Sequence, residues 1–141
     1  MSHISKIEVE ISDLDCLKRA CAFLGFQFMS NQTTYKWYGR LVNPEQTPLP
    51  EGLTQADLGT CTHAIRIPEA EYEVGVLKRN DKYLLLCDFW DSKLRQRIGD
   101  NGCRLKQAYT VEKTKKEARK RNFTVTEQKI ENGIRLVLTS R

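Results

Sequence analysis

Cys61 and His63 are the pair whose side chains most invite chemistry. A thiol and an imidazole two residues apart in an extended segment lie on the same side of the chain. With His3 and one more cysteine they would make a zinc site; alone they would make a nucleophile and its base. Both readings meet a geometric objection. A structural zinc site takes four ligands, usually from closely spaced pairs, and Cys61-Thr62-His63 is one pair without a second. Side chains two apart on a strand stand about 6–7 Å from each other, beyond hydrogen-bond reach. The expectation is therefore no metal and no cofactor, with Cys61, His63 and His3 used for packing or hydrogen bonding. The five cysteines are odd in number, irregularly spaced and without a CxxC, which fits reduced thiols serving as small core residues.

Two carboxylates, Asp88 and Asp91, flank Phe89-Trp90. A carboxylate beside aromatic bulk can act as an acid or base when burial raises its pKa. The plainer expectation is that Asp88 satisfies backbone donors and Asp91 caps the helix that follows. Gly99-x-x-Gly102, flanked by Arg95, Arg97, Arg104 and Lys106, resembles the GxxG loop of RNA-binding KH domains, but a four-residue pattern is common by chance. No phosphate-cradling glycine loop is present.

The densest charge lies between Cys103 and Arg121. Arg104, Lys106, Lys113, Lys115, Lys116, Arg119, Lys120 and Arg121 face only Glu112 and Glu117, an excess of six positive charges on a chain whose net charge is +5. Lys113, Lys116 and Lys120 fall on one helical stripe, with Lys106 two turns before Lys113. Together with Trp37, Arg40 and the neighbouring Tyr35, Lys36 and Tyr38, this is a candidate surface for phosphates and stacked bases. The alternative is a solvated helix face, or a dock for an acidic protein, and a buried aromatic core.

These residues need a scaffold, and the strongest signal for one is Tyr72–Asp91. It reads as a β-hairpin about Asn80-Asp81. Its return strand is apolar on both faces (Tyr83, Leu85, Cys87 and Phe89 on one; Leu84, Leu86 and Trp90 on the other, with Asp88 as the exception), so it belongs inside a sheet covered on both sides. Val74, Val76, Leu84, Leu86 and Phe89 are expected to be largely buried. Ser5–Ile11 alternates as a half-buried strand. A helix follows, capped by Ser12, with Asp15 at the acidic position of a capping box and Gly25 ending it. Phe26–Arg40 reads as one or two strands, and Asn43–Thr60, rich in proline, as a loop with at most one helical turn at Thr54–Leu58. His63–Ile67 is a short strand. Ser92–Ile98 and Cys103–Arg121 are helices, and Phe123–Ile130 with Ile134–Leu138 close the chain as a hairpin about Asn132-Gly133. The pattern is α+β: a mainly antiparallel sheet built from hairpins, two main helices packed against it, in one domain spanning residues 1–141.

Several of these segments resemble one known family end to end. The opening Met1-Ser2-His3, Asp15-Cys16-Leu17, Cys61-Thr62-His63-Ala64-Ile65-Arg66, Tyr72-Glu73-Val74-Gly75-Val76, Asp88-Phe89-Trp90-Asp91, Leu105-Lys106-Gln107-Ala108-Tyr109 and Gly133-Ile134-Arg135-Leu136 are similar to the hypothetical chloroplast open reading frame thirty-five family, a domain of unknown function of plastids, cyanobacteria and other bacteria. The resemblance implies no activity. It implies a role beside an ATPase of the MoxR class, near which such proteins are often encoded, and a plastid stroma setting if the chain is plastid-encoded. The N-terminus lacks the apolar core of a signal peptide and no stretch is apolar enough to span a bilayer, so a cytoplasmic protein without membrane contact is expected. The expected function is a non-catalytic binding or adaptor module with a protein partner. Nucleic-acid binding by residues 103–121, through Lys106, Lys113, Lys116, Lys120 and Arg121, is the second reading. A metal- or thiol-dependent enzyme is the third.

Overall fold

The computed structural model describes residues 4–37, 58–131 and 133–140. The chain opens with β1 (Ile4–Ile11), α1 (Leu14–Leu24) and β2 (Gln27–Met29). After the segment carrying Tyr35 and Cys61 come β3 (His63–Arg66), β4 (Glu73–Arg79) and β5 (Lys82–Asp88). Two helices follow, α2 (Ser92–Ile98) and α3 (Cys103–Lys120), and then the terminal strands β6 (Phe123–Ile130) and β7 (Gly133–Ser140). The fold is α+β. Among the described residues, no helix is long and apolar enough to cross a membrane.

The five strands β1 to β5 form one antiparallel sheet in the order β1-β5-β4-β3-β2. The expected hairpin is its centre, turning at Asn80, whose φ of 55° is a left-handed conformation that asparagine tolerates. Alternation then divides the side chains between two faces. On one face Ile7, Ile65, Val74, Val76, Leu85 and Cys87 pack against Leu17, Ala20 and Cys21 of α1, Leu94 and Ile98 of α2, and Leu105, Ala108 and Tyr109 of α3. On the other, Ile4, Ala64, Leu77 and Leu86 are covered by Tyr35 and Cys61, with Trp37 and Leu58 at the margin. A strand apolar on both sides thus sits where both sides are covered. Val74, Val76 and Leu86 are fully buried, whereas Leu84 and Phe89 are only partly so. The strand ends at Asp88, so Phe89 and Trp90 leave the sheet, and Trp90 is 62% exposed rather than part of an apolar face.

Local signals set most boundaries. Gly25 ends α1 with φ of 79° and donates to the carbonyl of Ala22. The N-cap of α1 is Asp13, not Ser12: the Asp13 carboxylate accepts from the Cys16 N–H at 3.1 Å, while the Tyr109 hydroxyl of α3 accepts from the N–H groups of both Ser12 and Asp13. Of the extended run expected over Phe26–Arg40, the described residues 26–37 show β2 and one bridge between Thr34 and Thr60, and residues 38–40 lie outside them. Residues 43–57 of the expected loop lie outside the described residues. β6 and β7 make a separate two-stranded sheet, Ile130 opposite Gly133 through Phe123 opposite Ser140, so the expected hairpin forms but Gly133 is a strand residue rather than the turn position expected of it.

Candidate interaction surface

The structure separates Cys61 from His63. The chain bends at Thr62 before β3 begins, so the two-residue alternation does not run through Cys61. Cys61 lies in the cluster beneath Tyr35 and its thiol donates to the Gln32 carbonyl at 3.0 Å. Burial pushes its pKa up to about 11, the opposite of what a nucleophile or a metal ligand needs. His63 stands beside Phe28 and Tyr83, and its Nδ1 accepts the Asn31 N–H at 2.9 Å. Burial, and then the charge of Lys18, hold its pKa below the usual value. The expected juxtaposition of thiol and imidazole on one side is thereby overturned, and no group of three or more metal-ligating side chains gathers among the described residues. His3 and Arg40 lie outside the described residues, as does Tyr38.

Asp91 caps α2 as expected. Its two oxygens accept four backbone N–H groups, from Glu71, Tyr72, Lys93 and Leu94. Burial alone would raise its pKa, but these donors lower it below the ordinary carboxylate value. Asp88 is fully buried and accepts the Trp90 N–H at 3.0 Å through one oxygen, the other being without a hydrogen-bond partner. The Tyr35 hydroxyl, also buried, has none either, and burial raises its pKa. The Tyr35 ring lies on Gly75 so closely that any Cβ there would collide with it. Tyr35 and its neighbour Trp37 are core for the second face of the sheet, not an exposed platform for bases.

Gly99 and Gly102 join α2 to α3 and both are buried; a Cβ on Gly102 would meet Ile7 of β1 at 2.8 Å. Their role is close packing of the helix corner on the sheet. The basic helix is also less free than its composition implies. Lys116 pairs with the capping carboxylate of Asp13, whose pKa this hydrogen bond lowers to about 2. Lys115 pairs with Glu127 of β6 and with Glu112, while Lys113 and Lys120 share Glu117 at 3.8 Å each. Every lysine of the expected stripe therefore has a carboxylate neighbour. Lys106, Arg119 and Arg121 have no ion pair among the described residues.

The feature that sequence reasoning missed is a cleft of about 600 Å³ between the helices and the terminal hairpin. Phe23 and Leu24 of α1 form one wall, Arg104, Gln107 and Ala108 of α3 the floor, and Ile130, Gly133 and Ile134 the other wall. Phe23 is 63% exposed and Ile130 44%. Glu127, Lys129 and Glu131 stand with them around the opening. Phe23 carried a faint signal, since it breaks the helical spacing of Leu17, Cys21 and Leu24. Apolar walls with charge of both signs around them suit a peptide segment better than a phosphate chain. Compared with protein-family models, with curated proteins and with solved structures, the chain finds no match in any of the three.

Proposed function

We propose that the protein is a non-catalytic binding module, an adaptor, that docks another protein in the cleft between Phe23 of α1 and the Ile130–Ile134 end of the terminal hairpin. The observation that carries this reading is the pair of solvent-facing apolar walls, Phe23 and Ile130, across a cleft also lined by Leu24, Ala108 and Ile134. Isolated exposed apolar residues are ordinary on a surface; a concave group of them with charges around it is the form of a recognition site. A short apolar anchor on the partner, flanked by charge of both signs, would match it. An ATPase of the MoxR class is the partner that the family resemblance supports.

Nucleic-acid binding by the basic helix is the second reading. Its support is the excess positive charge and Lys106, Arg119 and Arg121, which have no ion pair among the described residues; the carboxylates beside Lys113, Lys116 and Lys120 weigh against it.

Affinity capture with the wild-type chain and with the Phe23→Ser, Ile130→Ser double variant tests the proposal. Both positions are exposed, so the fold should survive. Wild type should retain a protein that the variant loses, by about tenfold or more in affinity. Titration of labelled single-stranded RNA and duplex DNA at two salt concentrations should show only weak binding that salt removes. Salt-resistant nucleic-acid binding, with no protein lost by the variant, would refute the adaptor reading.

A further inference from the structure

We propose that a second copy of this chain pairs with the open edge of β7, antiparallel about a two-fold axis, so that two terminal hairpins become one four-stranded sheet. Each exposed strand edge in a protein is a template for pairing, and folds usually blunt such edges. Here the edges of the larger sheet are blunted. β1 carries Glu8 and Glu10 on exposed positions and its register shifts between Ile7 and Ile11. β2 is only three residues long.

The terminal hairpin treats its two edges differently. A two-residue loop makes Ile130 and Gly133 the first hydrogen-bonded pair, and antiparallel pairs then alternate. On β6 the outward-directed backbone groups belong to Phe123, Val125, Glu127 and Lys129, so two of the four positions are charged. On β7 they belong to Ile134, Leu136, Leu138 and Ser140, three of them apolar and none charged. The one charge of β7, Arg135, lies on the opposite face. Seven residues from Ile134 to Ser140 combine high β-propensity with a single charge and no proline, which is the composition of a pairing strand.

Ile134, Leu136 and Leu138 share a face with Phe123, Val125, Glu127 and Lys129, and none of the five apolar side chains on it is fully buried; Leu138 is 45% exposed. One helix, α3, is too narrow to cover a two-stranded sheet. A two-stranded sheet is marginal by itself, whereas four strands with an apolar face are not.

A copy of the chain fits this edge because the edge is self-complementary. With the axis at Leu136, that residue faces its own counterpart and Ile134 faces the partner's Leu138. About six backbone hydrogen bonds form. Arg135 faces the partner's Val137, so no like charges oppose one another although each copy carries a net charge of +5. The Ile134, Leu136 and Leu138 side chains of the two copies then form one apolar strip along the seam. The cleft proposed above adjoins this edge and shares only Ile134 with it.

The test is the molar mass in solution across a wide concentration range, by light scattering and sedimentation equilibrium, for wild type, Val137→Lys and Val137→Glu. Val137 is exposed, so neither variant should unfold the monomer. Wild type should reach twice the chain mass. Val137→Lys sets a lysine against Arg135 at two symmetric places and should weaken the dimer about tenfold, while Val137→Glu should leave it as tight or tighter. Amide exchange at Ile134, Leu136 and Leu138 should slow with concentration in wild type. A monomer at every concentration, including one that captures a foreign extended peptide on β7, overturns the proposal. So does a dimer that the lysine and glutamate variants weaken alike. Loss of the captured partner in the Phe23, Ile130 variant with an intact dimer would bear on the cleft alone.

Discussion

The central and terminal hairpins are built from similar residues and have opposite surroundings. β4 and β5 bury Val74, Val76, Leu85 and Leu86 completely; β6 and β7 bury none of Phe123, Val125, Ile134, Leu136 and Leu138 completely. The difference lies in the layers. The central hairpin has helices on one side and Tyr35 and Cys61 on the other. Among the described residues the terminal hairpin packs chiefly on α3, on one side. Apolar strands therefore do two jobs in this molecule. In the middle they hold the fold together, and at the end they offer a surface.

The sharpest break of that comparison is truncation. Leu86→Ala removes a fully buried side chain from the closed sheet and should cost about 2–5 kcal/mol; Leu138→Ala in the terminal hairpin should cost under about 1 kcal/mol in the monomer. Urea unfolding of dilute protein measures both. Equal costs would mean that the hairpin is as much a part of the core as the central strands.

A smaller effect probes the second face of the central sheet. Gly75→Ala places a methyl group into the Tyr35 ring and should cost about 1–3 kcal/mol, through the displacement of Tyr35 and the segment it anchors. If this variant melts like wild type, the second face is loosely covered and resembles the terminal hairpin after all.

The smallest effect concerns α3, the helix that both regions share. Asp13→Asn keeps an N-cap but loses the Lys116 pair, at about 1 kcal/mol or less near neutral pH. The Asp13 carboxyl is held by the Lys116 ammonium at a pKa of about 2, below its ordinary value of 3.8. Its contribution is thus complete above the higher value and is lost as pH falls from 3.8 through about 2. Acid titration of stability should be flatter for Asp13→Asn than for wild type across that window. An unchanged slope would show that the Lys116 pair does not tie α1 to α3.

Local rules made much of the fold legible. The turn at Asn80-Asp81, the left-handed Gly25, the limits of α2 and the existence of the last hairpin depend on sterics and periodicity within a few residues, and those are written in the sequence itself. The α+β class followed from the same signals. Candidate-site readings fared differently, because each depended on a distant contact. Asp13 rather than Ser12 caps α1 because Tyr109, 96 residues from Asp13, takes the neighbouring N–H groups. Lys116 is paired because Asp13, 103 residues away, lies against it. A single bend at Thr62 sends Cys61 to one face of the sheet while His63 stays beside Phe28 and Tyr83. The cleft exists only because α1, α3 and the last hairpin meet at one place. The sequence by itself determined which segments are strands, helices and turns, since those energies are local. The tertiary structure alone decided which charges are paired and which apolar residues remain exposed, since those depend on what packs across from them.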